Sequence, residues 1–214
     1  MAEPLLSGGT ALLSGGTAHE LSWFTVLAWG AAEGALRLRL ALRPGLRARL
    51  QAWSALAGGR LREWTFFVVV LAIAAAVIAA LWLARFRWAA IGGGWATVIV
   101  GELAAVAGIV LRIWAIVVLD RFFTFIVGIA DDHRVIQHGP YRLLRHPGYA
   151  GALLTLLGIG VALASWLSLL VIFVGPALAL RIRIRVEEET LVGALGPEYR
   201  EYANRTARLI PGVW

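Results

Sequence analysis

The sequence predicts an all-α fold, a polytopic membrane helix bundle of about five transmembrane helices closed by a C-terminal helical hairpin. Three observations lead there. Hydrophobic residues make up 60% of the 214 residues, and mean hydropathy is +0.77, more apolar surface than one soluble core of this length can bury. The apolar residues are gathered into long runs rather than short alternating ones. Arginine then marks every second loop, with seven between Arg37 and Arg62, two between Arg85 and Gly94, four between Arg121 and Arg145, and six from Arg181 onward. By the excess of positive charge on cytosolic loops, this pattern puts the N terminus of a plasma or inner membrane protein outside and its C terminus in the cytosol.

Taken in order, residues 5–18 repeat LLSGGTA twice, and residues 1–20 read as a flexible tail because Gly, Ser and Thr dominate. A second unit, residues 21–132, holds the N-terminal spans and a basic cytosolic loop. Its first apolar run, residues 21–36, is short for a span and carries Glu33, so it crosses only with help from its flanks. In the basic loop, Leu46, Leu50, Trp53 and Ala57 share one helical face, which suggests a helix lying in the interface. Residues 64–84 form a span with aromatic ends, and residues 95–119 form another that includes Glu102 and Arg112. These two charges lie on different faces and should not pair with each other. The last unit, residues 133–214, contains apolar runs at 149–164 and 166–180 with little more than Ser165 between them, hence an antiparallel hairpin. Gly151, Gly158 and Gly160 offer small surfaces for close packing of that pair, and Pro176 is expected to kink the second helix.

Cysteine is absent, which excludes disulfides, thiolate metal sites and cysteine nucleophiles. All 20 basic residues are arginine, so no lysine can form a Schiff base or serve a phosphate loop. The net charge of +7 sits beside apolar spans and sets topology, which argues against a nucleic-acid partner. His133 and His138 lack a third ligand at metal spacing, so no metal site is expected.

The richest polar stretch lies between the long apolar runs and reads GPYRLLRHPGY, from Gly139 to Tyr149. Pro140 and Pro147 hold the residues before them extended, so the segment is a folded loop. Pro147 also suits the first turn of the next helix, whose amides would favour a carboxylate or phosphate, with Arg145 and His146 at its mouth. A second polar cluster follows the hairpin, where Arg181 to Glu189 continue the last helix below the membrane and set Arg183 and Glu187 four apart on one face. Such a pair is ordinarily a solvated helix end, but here the hairpin returns it beside the RHP loop. After Gly196-Pro197 comes a short helix with Tyr199, Tyr202 and Arg205 on one side, as interfacial anchors or ligand contacts.

Together these pieces resemble the isoprenylcysteine carboxyl methyltransferase and phospholipid methyltransferase group of integral membrane enzymes. The resemblance rests on His133-Arg134-Val135-Ile136, GPYRLLRHPGYAG, the hairpin, RIRVEEETL, GPEYREYANR and Ile210-Pro211, over a third of the chain in the family's order. It implies S-adenosylmethionine as cofactor, held by His133, Arg134, Val135, Ile136, Tyr141, Arg145, His146, Pro147, Gly148, Tyr149, Glu187 and Tyr199. It also implies Arg183 facing a lipophilic small-molecule or prenylated acceptor; Arg183 and His146 are the candidate catalytic residues, with His146 or Glu187 as the base if the acceptor is an amine. Two departures stand out: Thr206-Ala207 follow Arg205 where the family has a proline, and Ser165-Trp166 stand where Asn-Pro is common. Transfer to a phospholipid amine or a thiol stays open within the same group. So does a membrane sterol or isoprenoid reductase using NADPH, with Arg134, Arg142 and Arg145 for its 2′-phosphate, and a non-enzymatic membrane scaffold is a third possibility.

Overall fold

The computed structural model describes residues 7–41, 60–86, 89–92, 94–120, 135–212 and 214, so the expected interfacial helix and His133 and Arg134 lie outside the described residues. Among the described residues six helices follow one another: α1 (Ser7–Ala41), α2 (Arg60–Leu83), α3 (Gly94–Leu119), α4 (Pro147–Ala162), α5 (Trp166–Leu195) and α6 (Pro197–Arg205). A 3-10 turn, Gly139–Arg142, precedes α4.

Three of them, α2, α3 and α5, are long and apolar enough to cross a membrane. Three of the five expected spans are such helices; the other two runs take different forms. The run at 149–164 becomes α4, only 16 residues and so about 24 Å long, shorter than the roughly 30 Å hydrocarbon core. The first run is part of the 35-residue α1, where Glu, Ser and Gly dilute the apolar residues. That helix starts at Ser7 and takes in most of the LLSGGTA repeat, where a flexible tail was expected; once the apolar run nucleates a helix, extending it costs little per residue.

Packing is set by glycine. α4 lies mainly against α3, and α5 mainly against α2. A Cβ on Gly101 would stand 2.4 Å from the Ala162 nitrogen, one on Gly108 2.4 Å from that of Thr155, and one on Gly158 2.3 Å from that of Ala105. Backbone thus meets backbone along the α3–α4 seam, the close approach that small residues permit between membrane helices. This corrects one expectation: Gly151 and Gly158 face α3, and of the three glycines only Gly160 faces the hairpin partner, through Leu169 and Ile172. Spacing identifies a small-residue face without naming the helix it meets. We expect Gly158→Ala to force α3 and α4 apart and destabilise the protein by about 1–3 kcal/mol. Gly175→Ala, with nothing within 4 Å, should change stability by less than about 1 kcal/mol; thermal unfolding in detergent compares the two.

At the far end of the bundle the hairpin turn is tied to the α2–α3 connection. Ile91 N–H donates to the Ala164 carbonyl at 2.7 Å, the Ser168 hydroxyl donates to that of Ala80 at 2.7 Å, and Ser165 caps α5. α5 runs through the buried Pro176 as one helix. α1 lies parallel to α3, because Ser22 and Thr25 meet Glu102 while Glu33 meets Arg112 further along both helices. As the sequence suggested, Glu102 and Arg112 take separate partners. An apolar cluster around Leu156, Ile159 and Ile172 fills the middle.

Candidate active site at one membrane end

The hairpin returns α5 to the start of α4, and two polar clusters far apart in sequence meet there. Arg183 is 4% exposed; its Nε donates to the Tyr149 hydroxyl at 3.1 Å and its Nη1 to Thr65 Oγ1, at the start of α2, at 2.8 Å. The Tyr149 hydroxyl in turn donates to Glu187 Oε2 at 2.9 Å. One phenol therefore bridges Arg183 and Glu187, the two residues that the helical spacing had paired. His146, 5% exposed, stacks on the Tyr149 ring and points at carboxylates, with Nδ1 4.0 Å from Glu187 and Nε2 3.4 Å from Glu188.

Beside this chain of contacts, Glu188 gathers the surrounding loops. It accepts from Arg145 Nε and Arg208 Nε, each at 2.7 Å. Arg145 Nη1 also holds the carbonyls of Ala203, at 2.6 Å, and Thr206, so this arginine clasps the end of α6. The C-terminal segment pairs with the loop, since Arg145 N–H donates to the Ala207 carbonyl at 2.8 Å, Ala207 N–H to that of Leu143 at 3.1 Å and His146 N–H to that of Arg208 at 3.1 Å. Arg208 lies over the Trp214 ring. The Tyr202 hydroxyl donates to the carbonyls of Tyr141 at 2.8 Å and Leu144 at 3.3 Å, and burial pushes its phenol up to about 12, so it stays a donor.

Tyr199 differs from its neighbours. It is 4% exposed, yet its hydroxyl has no hydrogen-bond partner among the described residues. Burial, then Glu188 and Glu187, push this phenol up, so it is a proton donor with nothing to donate to. Tyr141 is also buried and its phenol raised, first by burial and then by Glu187, while Val135 and Ile136 lie half-buried on the approach to the 3-10 turn.

The expected anion site at the start of α4 is much reduced. Tyr149 N–H and Ala150 N–H both donate to the His146 carbonyl and Pro147 has no N–H, which leaves Gly148 alone of the first-turn amides. His146 makes no side-chain cap, and Arg142 is exposed, away from Arg145 and its partners.

Depth is the remaining feature. Gly148 stands beside Arg112, whose Nη1 donates to its carbonyl at 3.0 Å, and α3 continues for seven more apolar residues to Leu119, roughly 10 Å. The cluster is thus recessed below the end of a spanning helix, next to the exposed apolar side chains Trp64, Phe67, Leu178 and Ile182. Residues 98–193 match the isoprenylcysteine carboxyl methyltransferase (ICMT) family. The matched segment holds the glycine seam, the RHP loop and the Arg183–Glu188 run.

Two relatives show the extent of the ICMT likeness. A rice (Oryza sativa subsp. indica) "Probable protein-S-isoprenylcysteine O-methyltransferase" is 37% identical over 121 residues, 56% of this chain and 63% of that protein. "Protein-S-isoprenylcysteine O-methyltransferase A" of Arabidopsis thaliana is 34% identical over 115 residues, 53% and 58% of the two chains. The match with the rice relative thus spans about 63% of that protein's length. The solved structure of a eukaryotic intramembrane Ras methyltransferase, ICMT, superposes with a TM-score of 0.52 at 22% identity, covering 71% of this chain and 52% of that one. The chain is an integral membrane protein and shares that helical membrane fold.

Sequence reasoning passed over Thr65, Glu188 and Arg208 as site residues. Glu188 stood between the two registers Arg183/Glu187 and Arg185/Glu189, and only the first was weighed. Thr65 and Arg208 carried no signal, because their role comes from which elements the fold places next to Arg183 and Glu188.

Proposed function

We propose that this chain is a membrane methyltransferase that moves a methyl group from S-adenosylmethionine to the carboxylate of a lipophilic, prenylcysteine-like acceptor at the cytosolic face. The observation that carries this reading is the Arg183–Tyr149–Glu187 chain of contacts, recessed into the bilayer beside lipid-facing apolar side chains. Arg60, Arg142, Arg145, Arg185 and Arg205 are among the described arginines at this end of the bundle, which supports its cytosolic placement.

The residues fit the donor. Glu187 is partly exposed and suits an amine or ribose hydroxyls, and the unpartnered Tyr199 hydroxyl is a buried donor awaiting an acceptor. Val135, Ile136, Tyr141 and the His146–Tyr149 stack offer apolar and aromatic surface for a base. When bound, S-adenosylmethionine supplies an electrophilic methyl on a sulfonium. Arg183 presents a planar fork matched to a carboxylate, and Tyr149 and Thr65 fix its orientation. A carboxylate acceptor is already ionised at neutral pH, so no residue need remove a proton; positioning and exclusion of water carry the rate.

Two measurements test this. Purified protein should bind S-adenosylhomocysteine and transfer labelled methyl to an S-farnesyl cysteine as a base-labile ester. Label in a base-stable product would move the acceptor to an amine or thiol, and no transfer to any lipid would sink the proposal. Glu187→Ala should weaken product binding about tenfold or more, the range of a charge-assisted hydrogen bond. Tyr199→Phe should weaken it about three- to tenfold yet leave unfolding unchanged or slightly improved, since the hydroxyl it removes has no partner among the described residues.

A further inference from the structure

The first helix reaches the candidate site through one side chain. Glu33 on α1 and Arg112 on α3 form a two-point pair, Nε on Oε1 and Nη2 on Oε2 at 3.1 Å, with both side chains about 15% exposed. The third arm, Nη1, donates to the Gly148 carbonyl at 3.0 Å. Gly148 belongs to the first turn of α4, between His146, which faces Glu187 and Glu188, and Tyr149, which bridges Arg183 and Glu187. The guanidinium therefore ties α1 to the helical turn that carries His146 and Tyr149.

α1 is itself held in register. Ser22 and Thr25 donate to Glu102, ten residues before Arg112 on α3, so the two helices are pinned at two levels. A charged pair at this depth is costly unless it has a use, and an arginine left without its carboxylate would be free to turn from the Gly148 carbonyl. α1 lies wholly outside the segment 98–193 that matches the ICMT family.

We infer that Glu33 is a positioning residue: it orients Arg112, and Arg112 fixes the first turn of α4 so that His146 and Tyr149 stand correctly against Glu187 and Arg183. Only the kinetic arm of the test rests on the methyl-transfer reading.

The test replaces the pair by an apolar one of similar bulk, Glu33→Leu with Arg112→Met, which keeps helix packing and stability while removing the hold on Gly148. Hydrogen exchange of a peptide spanning residues 147–152 should quicken about tenfold or more, with the peptides of α5 unchanged. In the same variant kcat for methyl transfer should fall about tenfold or more, while the acceptor KM stays within about twofold, as for a lost alignment rather than lost binding. A folded variant with wild-type exchange and wild-type kcat overturns the inference. Should the double variant not fold, Arg112→Lys serves instead, because one ammonium can keep the Glu33 pair but cannot also reach Gly148 in the same geometry; it should give the same two changes, and their absence is equally decisive. Faster exchange at α4 in a protein whose wild type transfers no methyl group would support this inference and count against the catalytic reading alone.

Discussion

Arg183→Ala is expected to lower kcat for methyl transfer by roughly 10²–10³, the loss seen when one preorganised electrostatic donor is removed from a water-poor site. Binding of S-adenosylhomocysteine should change by less than about threefold, because Tyr149 keeps its bond to Glu187 and the donor side stays assembled. Arg183→Lys should be nearly as damaging. An ammonium cannot hold Tyr149, Thr65 and an acceptor carboxylate in one plane as the guanidinium can. Thr65→Val tests the same geometry more gently, removing one of the orienting contacts. A purified Arg183→Ala protein with kcat within about fivefold of wild type would take Arg183 out of the acceptor site.

The second large effect is on folding. Glu188→Ala removes a carboxylate that Arg145, Arg208 and His146 all approach, and leaves Arg145 buried without its countercharge. Breaking a buried pair from one side costs about 3–5 kcal/mol, which in detergent should appear as a large fall in the melting temperature. The C-terminal segment should loosen with it, since Arg208 ties that segment back to Glu188 and the loop. Glu189→Ala, one residue on and exposed, should stay within about 0.5 kcal/mol of wild type. Equal melting temperatures for the two variants would show that Glu188 is not the tie between these elements.

Much of this architecture was legible in the chain. α2 and α3 fell within a few residues of their apolar runs, because about 20 consecutive apolar residues admit few other readings. The hairpin break at Ser165, the extension of α5 past Arg181 and the start of α6 after Gly196-Pro197 followed from capping and breaker chemistry. Partner choice was not legible. Gly151 and Gly158 announce a face that another backbone can touch, but α3 and α5 were both available to touch it. Arg145 looked like a site residue and Glu188 like solvated charge, and only the return of α5 beside the RHP loop makes them one another's partners. Tyr149 could be placed next to the RHP loop, whereas its bridging hydroxyl depends on a hairpin whose two legs are in register to within one helical turn.

A bundle whose α3 has 26 residues and whose α4 has 16 presents the bilayer with two different heights. Lipid beside α4 can meet its roughly 24 Å by drawing the leaflet inward by about 6 Å, so headgroups dip toward the His146 end of that helix. The rate should then respond to acyl-chain length, and thick, sterol-rich bilayers would raise the elastic cost of that dimple.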